Sequence, residues 1–307
     1  MKKLFPAAIL LAGILVAVFA LPAADAKRPR IVGMAYAAVR THDLNAARHF
    51  YGDLLGFEEA FSYADVHYFK VNDRQFIVVA PESKPEEQRF QGQAWETDDA
   101  EGLRLYLKAQ GVKVPDERAG KAATYDLAFR VSDPDDNAFV VIQFTPESMA
   151  IQALGKHLSD ARVSRRMLHV GVPVSKPETV RFYVDILGFR EFWRGSADGK
   201  TVSYSNLYAP EGSDYVEFIL GAPPDTKARK GTVFHLALEV PDMDKAIARL
   251  NANPARRDYS QPIESHVGRN HRKQCNLFDP DGNRVELMED HTVDGLPAPK
   301  FTRPMFP

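Results

Sequence analysis

The sequence has a single cysteine, Cys275, little net charge, and no long apolar run after its first 26 residues. One cysteine excludes an intrachain disulfide and any metal site built from several thiolates, so a metal would be held by His, Asp and Glu. The formal net charge of −2 gives no reason to expect nucleic acid or an anionic membrane as a partner. No later stretch reaches the ~18 apolar residues of a membrane span, so no stable membrane anchor is expected there.

The N-terminus has the pattern of a secretory signal peptide. Lys2 and Lys3 precede an apolar run over residues 4–21, and Ala24-Asp25-Ala26 is a small-x-small cleavage site. We predict a signal peptide over residues 1–26, cleaved after Ala26, and a periplasmic or secreted protein; an uncleaved N-terminal anchor is the alternative. Cleavage removes two of the 39 basic and one of the 41 acidic residues, which leaves 37 − 40 = −3.

Two copies of one pattern fill most of the chain. The segment His49-Phe-Tyr-Gly-Asp-Leu-Leu-Gly-Phe57 parallels Arg181-Phe-Tyr-Val-Asp-Ile-Leu-Gly-Phe189. Further on, Asp133-Pro-Asp-Asp-Asn137 parallels Asp279-Pro-Asp-Gly-Asn283. Such self-similarity predicts tandem modules of one fold, with Pro and Asp marking equivalent turns.

In each half a strand, a helix and several further strands follow one another in the same order. Strand patterns over 34–40 and 168–174 lead to helix patterns over 44–55 and 178–187, and several strands follow. The same order then starts again in each half, so four βαβββ-like units are predicted, grouped as two pairs. We predict an α+β fold with modules over 31–147 and 166–291, a linker over 148–165 and an extended tail over 292–307.

These motifs resemble those of the vicinal oxygen chelate superfamily, which includes glyoxalase I, methylmalonyl-CoA epimerase, bleomycin and fosfomycin resistance proteins, and extradiol dioxygenases. The resemblance covers about residues 31–290 and depends on three motifs in order: the Phe-Tyr-x-Asp-(Leu/Ile)-Leu-Gly-Phe segments, His-Leu-Ala-Leu-Glu-Val at 235–240, and Asp-Pro-Asp-Gly-Asn-Arg-Val-Glu at 279–286. It implies paired βαβββ units whose strands curl into an open, cupped mixed sheet around a metal ion. It leaves open whether the two modules pair within one chain or in a homodimer.

Four polar residues of the second half lie within otherwise apolar strands. Side chains alternate between the two faces of a strand, so each of these residues points away from its large apolar neighbours. A buried, unpaired charge at such positions would cost several kcal/mol, and a divalent ion removes that cost. The four are His169, Glu217, His235 and Glu286.

The resemblance agrees with this set, because glyoxalase I-like members take His, Glu, His and Glu from four strands. It implies one divalent ion, such as Zn²⁺, Ni²⁺, Fe²⁺ or Mn²⁺, with open positions for water or substrate. In the first half, the matching positions hold Tyr36 or Ala37, Gly92 and Val140. The first module is therefore predicted to bind no metal.

The resemblance implies that a small substrate chelates the metal through neighbouring oxygens. In the glyoxalase-like reading, Glu286 or Glu217 abstracts a proton next to a carbonyl, the metal stabilises the enediolate, and the proton returns to the next carbon. An exported protein would not meet a cytosolic glutathione adduct, so another lyase or isomerase substrate is expected. Loop position and strand parity suggest four substrate-binding residues: Tyr204, Asn206, Arg269 and His271.

Two other functions stay open. An Fe²⁺ extradiol-type dioxygenase would use His169, His235 and Glu286 as a two-His-one-carboxylate triad. However, Asn276 stands where that family has a Tyr, four residues before the proline of the last turn. The third reading is a non-catalytic small-molecule binding or resistance protein, although such members of the superfamily usually lack metal ligands.

Overall fold

A computed structural model describes residues 27–82, 89–221 and 233–306 of the chain. The predicted signal peptide lies outside these residues. Within them, no helix is both long enough and apolar enough to cross a membrane.

The structure contains two sheets of eight strands each, one from each half of the chain. The first sheet contains β1 (Ile31–Thr41), β2 (Glu59–Tyr63), β3 (Val66–Lys70), β4 (Phe76–Pro81), β5 (Phe90–Thr97), β6 (Gly120–Lys121), β7 (Leu127–Ser132) and β8 (Ala138–Gln143). The second contains β9 (Met167–Val174), β10 (Arg190–Gly195), β11 (Tyr204–Tyr208), β12 (Tyr215–Leu220), β13 (His235–Glu239), β14 (Ser265–Val267), β15 (Lys273–Phe278) and β16 (Arg284–Met288).

Both sheets have the same topology. Their strand orders are β2-β3-β4-β1-β5-β8-β7-β6 and β10-β11-β12-β9-β13-β16-β15-β14. In the second sheet β9 pairs with β12 in parallel and with β13 antiparallel, and β13 pairs with β16 in parallel. Each sheet therefore consists of two βαβββ units joined at their first strands. This confirms the predicted α+β fold of two tandem modules with open mixed sheets.

The five α-helices of the described residues include three that begin after a capping aspartate. The five helices are α1 (Leu44–Arg48), α2 (Ala100–Ala109), α3 (Met149–Gln152), α4 (Pro177–Arg181) and α5 (Met243–Ala252), with a 3₁₀ turn at Pro254–Asp258. The Asp43 carboxylate accepts the backbone N–H groups of Asn45 and Ala46, and Asp242 caps α5 in the same way through Lys245. Gly56 and Gly188 follow the first helix of each module with φ of 79° and 80°, the left-handed conformation expected of a glycine past a helix end.

The first helix of each module differs from the continuous α-helix that the sequence pattern suggests. α1 ends at Arg48 and continues as a π-helical segment, His49–Leu54, and α4 continues as Phe182–Ile186. The wider turn is visible in the bond from Leu55 N–H to Phe50 O, an i→i+5 pair. The apolar pattern over so few residues does not distinguish a π turn from an α turn, because both bury Phe50 and Leu54.

The two modules pair with each other through a continuous hydrophobic core. Phe90 of the first module stacks on Phe234 of the second with ring centroids 5.3 Å apart, and Trp95 meets Phe189 edge-on at 4.9 Å. One connected cluster of buried side chains includes residues from both halves. The first module is thus part of the framework that supports the second sheet.

The Asp-Pro-Asp turns, residues 133–137 and 279–283, dock each module onto the other. Asp135 accepts hydrogen bonds from Ser175 and Thr179 at the start of α4, and Asp281 accepts one from Thr41 just before α1. An anionic side chain at a helix N-terminus interacts favourably with the exposed N–H groups there. Tyr51 adds a buried O–H···O bond of 2.9 Å to Asp279. The repeated motif therefore joins the modules as well as turning the chain.

Candidate metal centre

The second sheet brings its four polar mid-strand side chains together on one face. His169 lies on β9 and pairs across to Ala237, two residues after His235 on β13. Ala237 in turn pairs with Glu286 on β16, and Gly171 pairs with Glu217 on β12. Strand alternation places all four side chains on the same side of the central strands. Both imidazole rings are buried, with at most 1% of their surface exposed.

The ligand-type atoms of this cluster lie within a few ångströms of each other. The Nε2 atoms of His169 and His235 are 3.1 Å apart. The Glu217 Oε2 atom is 3.5 Å from His235 Nε2 and 3.9 Å from His169 Nε2. These three residues form a compact trio.

Glu286 adjoins the trio through a single contact. Its Oε2 atom is 3.3 Å from His235 Nε2 and 3.9 Å from Arg284 Nη2. The set of three potential ligands that lie within 4.8 Å of one another comprises His169, Glu217 and His235, without Glu286. The distances therefore place Glu286 at the edge of the cluster and Glu217 inside it.

The protein environment keeps both imidazoles neutral. Burial, and after it the neighbouring His235, lowers the pKa of His169 well below its usual value. Burial and then the Arg284 charge lower the pKa of His235. A neutral imidazole has one ring nitrogen with a free lone pair, which is the form that binds a metal. Burial and the Glu286 charge raise the pKa of the Glu217 carboxyl.

Four neighbouring groups hold the histidine rings in place. Tyr215 stacks on His169 with centroids 4.6 Å apart. His235 Nδ1 lies 3.0 Å from the carbonyl oxygen of Val233 and also contacts Nη2 of Arg284, so both groups fix the orientation of the ring. Gly171 makes room for the His235 ring, because a Cβ at this position would lie 2.0 Å from His235 Cε1.

The donor set and its spacing fit a divalent ion. An ion with four tetrahedral bonds of about 2.1 Å has ligand atoms about 3.4 Å apart. The measured separations of 3.1 to 3.9 Å bracket this value. Two neutral imidazoles and one or two carboxylates suit Zn²⁺, Ni²⁺, Fe²⁺ or Mn²⁺. His169 and His235 with Glu217, and Glu286 beside them, would hold the ion.

A polar cleft of 370 Å³ opens beside the cluster, and Glu217 and Glu286 are part of its wall. Of the four substrate-binding residues suggested by the sequence, Tyr204 and Arg269 line this cleft. Asn206 lines a neighbouring cavity of 130 Å³ and pairs with Glu217 across the strands. His271 lines neither space, and its ring nitrogen faces Asp294 at 3.5 Å.

The cleft contains residues that the sequence analysis missed. Arg284 and Asn276 are the most informative, because strand geometry could have identified both. Arg284 has the same parity as Glu286, and Asn276 pairs directly with Glu286 across β15 and β16. The remaining lining residues not yet named are Trp193, His266, Val267, Gly268, Asn270 and Gln274.

The equivalent face of the first sheet lacks this donor set. Matching strand pairings place Tyr36, rather than Ala37, at the position of His169, and they place Val78 at that of Glu217. Gly92 stands at the position of His235 with a φ of 119°, and a Cβ there would lie 2.2 Å from a backbone oxygen. A histidine would not fit at that point without moving the backbone. Among the described residues, the one group of three potential ligands is that of the second module.

Comparison with known proteins assigns the chain to a family. The model of the Glyoxalase/Bleomycin resistance protein/Dioxygenase superfamily matches residues 33–141 and 166–287. These matches cover both modules, and the chain therefore belongs to this superfamily. A search of curated proteins found no match.

Solved structures with the same fold include enzymes of two kinds. Homoprotocatechuate 2,3-dioxygenase from Brevibacterium fuscum, in complex with 3,4-dihydroxyphenylacetate, is 19% identical, with a TM-score of 0.67 over 91% of this chain and 88% of that one. The Mn(II)-bound glyoxalase from Novosphingobium aromaticivorans is 18% identical, with a TM-score of 0.65 over 90% and 86%. At this level of identity the likeness establishes the shared fold.

Replacement of His235 by alanine removes the residue that contacts the other three. We expect His235→Ala to lose stoichiometric Zn²⁺ binding, measured by calorimetry and by elemental analysis of the purified protein. Tyr36→Phe, at the matching face of the first module, is the control and should bind like the wild type. One equivalent of Zn²⁺ on His235→Ala would show that the site lies elsewhere.

Gly171 offers a test that leaves every ligand in place. Gly171→Ala pushes against the His235 ring, so Zn²⁺ affinity should fall by about 10–100-fold, as for other changes that misorient a ligand. Gly120→Ala is the matched control, because a Cβ at Gly120 meets no atom within 4 Å. Equal Zn²⁺ affinities in titrations of the two variants would contradict this role of Gly171.

Proposed function

We propose that this protein is a metal-dependent lyase or isomerase of the glyoxalase type, acting on a small oxygen-chelating substrate. The observation that carries the proposal is the presence of two carboxylates, those of Glu217 and Glu286, beside two histidines at the wall of one cleft. Both carboxylates can contribute to binding a metal, and one of them can be displaced from it by the substrate and then take up a proton. A bound divalent ion would supply Lewis acidity that stabilises an enediolate formed from the substrate.

Glu217 is the stronger candidate for the proton-transferring group. Its side chain is 14% exposed, against 7% for Glu286, so it is the more open of the two to the cleft. Glu286 is held between His235 and Arg284. In the proposed step a C–H bond next to a carbonyl breaks and its electron pair stays on the substrate. The Glu217 carboxylate takes the proton and returns it to the adjacent carbon, so no oxidant is needed.

A ring-cleaving dioxygenase is the second candidate. His169, His235 and Glu286 provide the two-His-one-carboxylate set that Fe²⁺ oxygenases use. Against this interpretation, a Glu217 carboxylate oxygen lies within 4.8 Å of a ring nitrogen of each histidine, and as a fourth ligand it would occupy a coordination position that such a triad leaves open. A binding protein without catalysis is the third candidate, and the buried ligand set argues against it.

Solvent exchange separates these functions. Protein loaded with Zn²⁺, Ni²⁺ or Mn²⁺ should catalyse exchange of the carbon-bound protons of dihydroxyacetone in D₂O, followed by proton NMR. Glu217→Gln should slow the exchange by ~10²–10⁴-fold at full metal occupancy, because a general base is lost. Glu178→Gln, a change of an exposed carboxylate on α4, is the control and should exchange like the wild type.

Two outcomes would overturn the proposal. Stoichiometric oxygen uptake by the Fe²⁺-loaded protein with a catechol would favour the dioxygenase. Full metal occupancy without exchange under any of the three metals would favour the binding protein.

We also propose that the protein is exported. The proposal is supported by Lys2 and Lys3, the apolar run over 4–21, and the Ala24-Asp25-Ala26 pattern. The mature protein isolated from its native host should begin at Lys27, as determined by N-terminal sequencing of the periplasmic or secreted fraction. A full-length N-terminus, or recovery in the cytoplasm, would contradict export.

A further inference from the structure

Arg284 carries a buried donor for which the described part of the chain provides no acceptor. Its Nε atom is buried without a hydrogen-bond partner, although the side chain as a whole is 23% exposed. The guanidinium also contacts Nδ1 of His235 through Nη2. A buried N–H of a charged group without an acceptor is costly, by ~1–3 kcal/mol or more. A ligand oxygen in the cleft would satisfy it.

Unpartnered acceptors lie on the same face. The Oδ1 atoms of Asn276 and Asn206 are buried and, among the described residues, have no donor. Asn276 pairs with Glu286 and lines the cleft, whereas Asn206 pairs with Glu217 next to it. The face beside the ligands therefore offers a cation that needs an acceptor and amide oxygens that need a donor. A hydroxyl group beside a carboxylate matches both needs.

The charge of the cleft favours an anion. Arg284 and Arg269 balance the two glutamates of the wall, so a bound divalent ion leaves two positive charges in excess. The volume of 370 Å³ is near the lower end of the ~300–1,000 Å³ typical of ligand pockets, so the ligand is small. Arginine binds carboxylates through parallel N–H bonds, which a flat guanidinium at a cleft wall can present.

We propose that this cleft takes a small 2-hydroxy or 2-oxo carboxylate, whose carboxylate is bound by Arg284 with help from Arg269. The assignment rests on the proposed function, because it requires the metal site beside the cleft. In this arrangement Arg284 binds the substrate directly. Because Arg284 lies beside His235 and Glu286, it holds the carboxylate of the substrate next to the proposed metal ligands. Arg269 is exposed, so its side chain can approach the ligand from the mouth of the cleft.

The test compares two probes that differ in charge. Lactate and lactamide have nearly the same size and the same adjacent oxygens, but lactamide has no carboxylate. Calorimetry with the Zn²⁺-loaded protein should show tighter binding of lactate. In Arg284→Gln the preference for lactate over lactamide should fall by about 10-fold or more, since a hydrogen bond to a charged group is lost. Arg269→Gln, at an exposed position, should reduce the same preference even if Arg284→Gln fails to fold.

Arg190→Gln is the matched control, because Arg190 is an exposed arginine of the same module that does not line the cleft. The Arg190→Gln variant should prefer lactate over lactamide as strongly as the wild type does. The assignment would be overturned if the wild type, Arg284→Gln and Arg269→Gln, each with one Zn²⁺ bound, all preferred lactate over lactamide equally. That result would leave the metal site intact. Failure of the wild type to bind Zn²⁺ would overturn the proposed function and the assignment together.

Discussion

The structure of the second module depends on how four polar side chains, three of them buried, share one small space. His169, His235, Glu217 and Glu286 face each other from four strands, and the closest pair of nitrogens is 3.1 Å apart. Two neutral imidazoles at this distance can share one hydrogen bond, but the Glu286 carboxylate beside them remains a buried charge, and the Glu217 carboxyl is charged only at a cost. A divalent ion would satisfy all these groups at once. The Tyr215 stack and the absence of a side chain at Gly171 are arranged around this cluster.

The two modules share a topology and differ in what their inner faces hold. The first has Tyr36, Val78, Gly92 and Val140 at the matching positions, and the left-handed conformation of Gly92 leaves no room for a side chain. The first module instead contributes apolar surface and the turn that docks onto α4. This division explains why one sequence keeps the Asp-Pro-Asp turn in both halves but the ligand set in only one.

Much of the fold could be predicted from the sequence, because the repeated motifs and strand alternation report directly on backbone geometry. The paired βαβββ units and the superfamily are confirmed, and alternation predicted the shared face of His169 and His235. The residues that contact a proposed metal-binding side chain from a neighbouring strand were harder to identify. Parity places Arg284 on the face of Glu286, but the direct pairing of Arg284 and of Gly171 with His235 becomes visible only once the register of the strands is known. Strand parity gives no guide for a loop residue such as His271, which does not line the cleft and whose ring faces Asp294. Its role in substrate binding stays a prediction. The roles of the four ligands stay predictions.

Crystals soaked in Zn²⁺ and measured at the zinc absorption edge test the central claim most directly. The account predicts one anomalous peak in the second module, about 2.0–2.2 Å from the Nε2 atoms of His169 and His235 and from a Glu217 oxygen. Glu286 is predicted to approach the same peak from the side of His235. A peak in the first module, or a strong peak away from these two histidines, would contradict the account.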